Sequence, residues 1–524
     1  MFVHSTFPVL ALMIPACALA SSGSSSPVPD CSSFRPVNSI SDYHATILNT
    51  TYYDIGELDV QGTLNEVSIC EIFVSVPYGS NDTLHFALWL PDTQYSSRFM
   101  AIGNGGFGAA LSDTEMMEEL NNGLGFAVAG SDAGHVGNGS GTPGVYEPFL
   151  HDEDQTKAWL HNSISLFTPV AKALINNFYG YEADYSYYRG CSTGGAQGFS
   201  LAEFHPDLFD GIIAGCAANY YTHLMLSFLW NSQQTDTNET YLSEPLLEYI
   251  QARVIEECDT IDGIQDKLVE NPLECTFNIS TLACSAGAPA ANVTCLTPSQ
   301  LSAAQAIYQG PVRADSSRTS IFPGLTLASE GGWWFPQVEA GLSTAITTPI
   351  LQNLVYNDLS YDPKTFNWAS DIDVLDERAG PLIDSISTDL SSFRDGGGKM
   401  IAYAGWADPS IAPMWTLQHV EAITKRTLGD GVTIADNDFL KLVMVPGGGH
   451  CGANIAKYPS VPAHYSISSV LVEWVEKGED DVEGIRSWGP TNGDNRTRKL
   501  CTWPKVAKLK EGGDVDDWES YLCA

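Results

Sequence analysis

Basic residues are scarce in this chain: 25 Lys and Arg stand against 63 Asp and Glu, a net charge of −38 over 524 residues. Such a field repels phosphate backbones and anionic bilayers, so the sequence predicts no nucleic-acid partner and no membrane partner. Long apolar runs are also missing. After residue 20 nothing reaches the roughly 18 consecutive apolar residues of a membrane span, and no internal repeat or long low-complexity tract is visible. The one N-terminal apolar run, residues 7–20, ends in Ala18-Leu19-Ala20 before a Ser-rich stretch, with His4 the only titratable cation ahead of it. That shape predicts a secretory signal over 1–20 and an extracellular chain.

Seven Asn-x-Ser/Thr acceptors, at Asn49, Asn81, Asn138, Asn238, Asn278, Asn292 and Asn495, agree with secretion. Twelve cysteines fall to eleven once Cys17 leaves with the signal. In an oxidising compartment most pair. Local spacing suggests Cys31–Cys70, Cys258–Cys275, Cys284–Cys295 and Cys501–Cys523, together with Cys191–Cys451. Cys216 is left over at the end of an apolar run, where a buried free thiol is expected.

About 500 mature residues exceed what one hydrophobic core usually organises, so a large catalytic domain plus a second unit is expected. Strand-like runs occur at 83–90, 98–102 and 126–129, and a helical spacing of apolar residues at 160–178. A strand at 185–189, a helix at 195–204 stopped by Pro206, and a strand at 211–214 follow. Strand, Ser-containing turn, helix, strand is the local order of an α/β sheet. Sheet periodicity fades between 219 and 386 and resumes at 399–403 and 439–445. The expected organisation is therefore an α/β sheet domain from 21–218 and 387–524, interrupted at 219–386 by an insertion covering the sheet.

Gly190-Cys191-Ser192-Thr193-Gly194 fits the Gly-x-Ser-x-Gly elbow, in which glycines permit a sharp strand-to-helix turn that exposes the Ser hydroxyl. Ser192 is thus the candidate nucleophile. His450, closing a Gly-rich turn after the 439–445 strand, is the candidate base. Asp408, just past the strand ending at Tyr403, is the candidate acid that orients the imidazole. If Cys191 and Cys451 pair, their Cα atoms lie about 4.4–6.8 Å apart, with Ser192 and His450 one residue away on either side. The backbone N–H of Thr193 is the expected first oxyanion donor, and Gly105 or Gly106, in Gly103-Asn104-Gly105-Gly106, the second.

Residues 258–268 hold a second constellation. Asp259, Asp262 and Asp266, at i, i+3 and i+7 around a Gly turn, converge on a hard cation with the carbonyls of Ile264 and Leu268 completing its shell, which suits a structural Ca²⁺. An acidic surface loop is the alternative.

Taken together, Gly190-Cys191-Ser192-Thr193-Gly194-Gly195, the Asp259/Asp262/Asp266 loop, Gly405-Trp406-Ala407-Asp408-Pro409, Gly449-His450-Cys451, Gly103-Asn104-Gly105-Gly106-Phe107-Gly108 and Ser131-Asp132-Ala133-Gly134-His135 resemble the tannase and feruloyl esterase family of secreted hydrolases. The resemblance implies an α/β-hydrolase core with a Ca²⁺-bearing lid and a triad of Ser192, Asp408 and His450. It also implies Ca²⁺ ligands at Asp259, Asp262, Ile264, Asp266 and Leu268, a Cys191–Cys451 bridge, and phenolic-acid ester substrates, feruloyl or galloyl. Ala196 departs from the pattern where many relatives carry Arg, which bears on substrate preference. Trp230, Trp333 and Trp334 read either as core or as walls of an acyl pocket. The leading expectation is a feruloyl-type esterase acting on plant cell-wall polysaccharide. Its rivals are a tannase and a Ca²⁺-bearing cell-wall binding protein with a vestigial elbow.

Overall fold

The computed structural model describes residues 31–34, 40–137, 139–285, 294–452, 463–478, 482, 484–489 and 496–524. The expected signal over 1–20 and the acceptors Asn138, Asn292 and Asn495 lie outside them. Nine strands build the central sheet: β1 Thr46–Tyr53, β2 Ile69–Tyr78, β3 Asp82–Pro91, β4 Arg98–Ile102, β5 Phe126–Ser131, β6 Tyr185–Cys191, β7 Gly211–Gly215, β8 Lys399–Gly405 and β9 Leu440–Val445. Their spatial order is β1-β2-β3-β5-β4-β6-β7-β8-β9. The first three pair antiparallel, β3 runs antiparallel to β5, and every pair from β5 to β9 is parallel.

Every residue of β5 and β7 is buried. Parallel strands covered on both faces need unbroken apolar runs, and Phe-Ala-Val-Ala-Gly and Gly-Ile-Ile-Ala-Gly supply them. One face is covered by the helices Ser163–Tyr179, Thr193–Phe204 and Pro413–Leu428, through Phe167, Leu174, Phe199 and Val420 among others. The other is covered by Asp113–Asn121 and Ile467–Lys477, through Met116, Leu120, Leu471 and Trp474. This is the α/β-hydrolase arrangement expected from the sequence. Among the described residues no helix is long and apolar enough to cross a membrane.

Two strands, β1 and β2, precede the first strand expected from the sequence. β2 alternates with Ile72, Val74 and Val76 inward, a period-2 signal that was there to be read. β1 is half-exposed and polar, an edge strand whose Thr-Ile-Leu-Asn-Thr-Thr carries little pattern.

Among the described residues no sheet strand falls between Gly215 and Lys399. That stretch instead packs helices Tyr221–Gln234, Glu244–Cys258 and Pro298–Gln309 into a second core containing Met225, Leu247, Ile250, Ile307 and Leu351. Trp333 is fully buried there, with its indole N–H on Ser329 Oγ at 2.9 Å. Trp230 donates to Ala306 O and packs edge-on against Trp368, and Trp334 donates to the Tyr241 hydroxyl. None of the three lines the cavity that holds Ser192. Trp333 is buried and Trp230 and Trp334 are half-buried, each with its indole N–H satisfied away from that cavity, which agrees with packing rather than an acyl wall.

The second core also reaches the loop after β8. Thr326 Oγ1 donates to Trp406 O, Gln337 Nε2 donates to Pro409 O at 2.8 Å, and Asn231 Nδ2 donates to Gln337 Oε1 at 3.0 Å. Gln337 is wholly buried, so these bonds are shielded from water.

Glu330 lies at the foot of this contact with no exposure. Its Oε1 accepts from Tyr308 Oη at 2.6 Å and Ala328 N at 3.0 Å, while Oε2 has no partner. Burial pushes its carboxyl up to about 7. A folded-state value above the unfolded one means stability that is complete below pH 4.5 and is lost as pH rises towards 7. The buried His161 and His419, both pulled down to about 4 by burial, act in the opposite sense as pH falls. The contribution of Glu330 is therefore isolated by comparison with Glu330→Gln. Thermal unfolding of the pair across pH 4.5–7 is expected to show the variant gaining on the parent by up to about 1.4 kcal/mol per pH unit; parallel curves would rule out a neutral Glu330.

Candidate active site

Ser192 sits between β6 and the helix Thr193–Phe204 at φ 61°, ψ −119°. A non-glycine residue holds that left-handed geometry only when its surroundings impose it. Here Ser192 N donates to Gly215 O at 3.0 Å, and Ser192 O accepts from Ala196 N at 3.0 Å and Ala218 N at 3.1 Å. Gly195 is required for this turn, since a Cβ there would stand 2.3 Å from Gly215 O.

Asp408 is 1% exposed and is oriented by its own loop, with Oδ1 accepting from Ser410 N at 2.8 Å and Ile411 N at 3.0 Å. Its Oδ2 lies 2.8 Å from His450 Nδ1. Burial alone would lower the imidazole, but the Asp408 charge and hydrogen bond, together with the Cys216 thiol beside it, hold it well above its ordinary value. The two loops approach closely because Gly405 has no side chain. A Cβ at that position would stand 2.2 Å from Gly448 O.

The bridge Cys191–Cys451 is formed, with Cα atoms 5.8 Å apart and a sequence separation of 260. It ties the residue before Ser192 to the residue after His450. The other four suggested bridges are present as well, and Cys216 is free and buried.

Ser192, His450 and Gly103 to Gly106 line one cavity of about 1070 Å³. Among the described residues no group accepts a hydrogen bond from the N–H of Thr193, Gly105 or Gly106. The Gly-rich loop is fixed to the elbow helix by residues that the sequence reading did not single out. Gln197 Oε1 accepts from Asn104 N at 2.9 Å, and its Nε2 donates to Asn104 Oδ1, Trp159 O and Ser163 Oγ. Thr193 Oγ1 and Trp159 Nε1 both donate to Gly106 O, at 2.8 and 2.9 Å. A Gln five residues after a nucleophile carries no signal of its own; only the folded neighbourhood identifies it. Ala196 is wholly buried in the second core.

The acidic loop after helix Glu244–Cys258 is built around its own amides. Asp259 Oδ1 accepts from Asp266 N and Lys267 N, Asp262 Oδ1 from Ile264 N, and Asp266 Oδ1 from Leu268 N. Two arginines from the C-terminal region enter it unforeseen. Arg498 pairs with Asp262, Asp266 and Glu270, and Arg496 with Asp266. Burial raises Asp259, Asp262 and Glu270 above the usual carboxylate range. Arg496 also pairs with Asp516 at 3.1 Å, so the carboxylates of this site outnumber its two guanidinium groups and leave a residual negative charge. Oxygen donors are of the kind a divalent hard cation takes, and Arg498 already pairs with two of the carboxylates, Asp262 and Asp266.

The family described as tannase and feruloyl esterase matches residues 70–524. A probable feruloyl esterase B-1 of Aspergillus terreus is 29% identical over 525 residues, covering 94% of this chain and 95% of that protein. Feruloyl esterase B of Aspergillus niger is 26% identical over 544 residues, covering 98% and 99%. Among solved structures, feruloyl esterase B from Aspergillus oryzae has a TM-score of 0.82 at 24% identity, covering 94% of this chain and 99% of that one. Tannin acyl hydrolase from Aspergillus niger has a TM-score of 0.71 at 21% identity, covering 92% and 91%. These two structures share the fold of this chain.

Proposed function

The chain belongs to the tannase and feruloyl esterase family of carboxylic ester hydrolases, and from that premise we propose that it cleaves feruloyl and related hydroxycinnamoyl esters with Ser192 as nucleophile. The observation that carries the reading is the pairing of His450 Nδ1 with buried Asp408 at 2.8 Å, on a loop bridged to the Ser192 elbow. His450 takes the Ser192 proton as the hydroxyl attacks the ester carbonyl, and Asp408 holds the imidazolium that forms. The oxyanion rests on the Thr193 amide and on that of Gly105 or Gly106. His450 then protonates the departing alcohol, and water releases the acid by the same route.

Phenolic-acid esters are the substrate class. The named relatives favour feruloyl over galloyl groups, and plant cell-wall polysaccharide is the proposed carrier of the ester. Initial rates on methyl ferulate, methyl caffeate, methyl p-coumarate and methyl gallate decide between the two. Hydroxycinnamate turnover exceeding gallate turnover by at least about tenfold is expected, since a site arranged for one acyl group leaves polar groups unpaired around the other. Gallate-only turnover would make the enzyme a tannase.

Secretion is proposed with it. The signal-shaped N-terminus, five disulfides and the exposed acceptors Asn49, Asn81, Asn238 and Asn278 support this. A structural Ca²⁺ held by Asp259, Asp262 and Asp266 with the carbonyls of Ile264 and Leu268 would neutralise the residual charge described above and tie the acidic loop to the C-terminal region through Arg498. EDTA is expected to lower the melting temperature and added CaCl₂ to restore it. A cation at 100 times its dissociation constant contributes about 2.7 kcal/mol. An unchanged melting curve would exclude the site.

A further inference from the structure

The thiol left unpaired by the five bridges is not remote from the chemistry. Cys216 directly follows β7, takes φ 39°, and donates its N–H to Tyr403 O at 2.7 Å. This places it beside the base. One donor atom from each of Cys216, Asp408 and His450 lies within 4.8 Å of the other two. Cys216 and Asp408 are each 1% exposed, whereas the His450 side chain is 26% exposed and lines the cavity. The cluster is therefore closed on the protein side and reached through the imidazole.

We propose that Cys216, His450 and Asp408 form a binding site for a thiophilic divalent cation of the Zn²⁺ type, whose occupancy switches hydrolysis off. The inhibitory part rests on reading His450 as the catalytic base. Thiolate, imidazole and carboxylate are the ligands Zn²⁺ takes, at about 2.3, 2.0–2.1 and 2.0–2.2 Å. Those bond lengths put the donors of a tetrahedral set roughly 3–4 Å apart, so modest side-chain movement closes the cluster on an ion. On binding, the Cys216 thiol releases its proton to solvent, the Nδ1 proton facing Asp408 is likewise lost to solvent or moves to Nε2, and the freed imidazole lone pair goes to the metal. The fourth position is filled by water from the cavity. With an imidazole nitrogen on the metal and the Asp408 carboxylate drawn away from Nδ1, His450 no longer accepts the Ser192 proton. Ca²⁺ and Mg²⁺ prefer oxygen donors in larger or octahedral shells, so selectivity for soft cations comes from the sulfur.

The test follows methyl ferulate hydrolysis against ZnCl₂ in chelator-free buffer for the parent, Cys216→Ala and Cys216→Ser. In parallel, CoCl₂ is added to each protein and its near-ultraviolet absorption recorded. The zinc response of each protein is read against its own zinc-free rate, because Cys216 also touches the His450 imidazole. The parent is expected to be inhibited in the micromolar range, reversibly on dilution, with each variant needing at least about tenfold more zinc. Cobalt is expected to give a thiolate-to-metal band in the parent that both variants lack. Equal zinc sensitivity in all three proteins, or none up to millimolar zinc, would overturn the inhibitory site. Absence of the cobalt band from the parent would overturn the thiolate ligand. The cobalt spectrum does not depend on turnover, so a protein inactive on every ester would defeat the catalytic reading and leave the cation site to be judged separately.

Discussion

Ser192→Ala lowers kcat/KM on methyl ferulate by about 10⁴- to 10⁶-fold, a residual rate coming from substrate binding and the oxyanion donors alone. The fold is expected to survive. Among the described residues the Ser192 side chain makes no hydrogen bond that Ala would lose, and the left-handed backbone at this position is fixed by main-chain bonds to Gly215, Ala196 and Ala218. Ala at φ 61° bears the same strain as Ser. The measurement is steady-state hydrolysis beside labelling by a fluorophosphonate probe. The parent should be labelled at Ser192 and the variant at no residue. A variant retaining a tenth of the parent rate would move the nucleophile elsewhere in the chain and revive the idea of a vestigial elbow.

The second large effect concerns the bridge. Removing it with Cys191→Ser and Cys451→Ser together frees a loop of 260 residues. Chain-entropy arguments give such a closure about 5.6 kcal/mol, an upper figure because the reduced chain retains structure. The double variant is the informative one, since either single variant would leave a new thiol near the free Cys216. Its denaturation midpoint is expected to fall substantially. Its kcat is expected to fall by at least about 10²-fold even where folding is complete, because a shift of about 1 Å between nucleophile and base has that effect. Unchanged kcat at full folding would show that the flanking hydrogen bonds alone set the geometry, and an unchanged midpoint would remove the stabilising role.

The parts of the site readable from sequence were those whose chemistry imposes a local pattern. The elbow needs Gly195 because of Gly215, and the base loop needs small residues because of Gly405 and Gly448. Such demands leave dense glycine runs around Ser192 and His450. Parallel strands β5 and β7 announced themselves because burial on both faces allows only apolar residues. Residues that act across long sequence distances left no local trace. Gln197 meets Asn104 93 positions away, Arg498 meets Asp262 236 positions away, and Cys216 reaches His450 only once β7 and the base loop lie in one sheet. The tryptophans illustrate the reverse case. Composition leaves them as core or binding wall, and only the folded partners that satisfy each indole N–H away from the cavity decide for packing.

The contact between the second core and the loop after β8 bears on how such an enzyme is redesigned. Thr326, Gln337 and the buried Asn231 behind it hold the main chain on either side of Asp408. The segment over the sheet is consequently not an exchangeable lid. A chimera that grafts a relative's segment to obtain its acyl preference would import foreign contacts to Trp406 and Pro409 and detune the acid as a side effect. Combinatorial libraries confined to the cavity wall, with positions 231, 326 and 337 held constant, separate selectivity from competence.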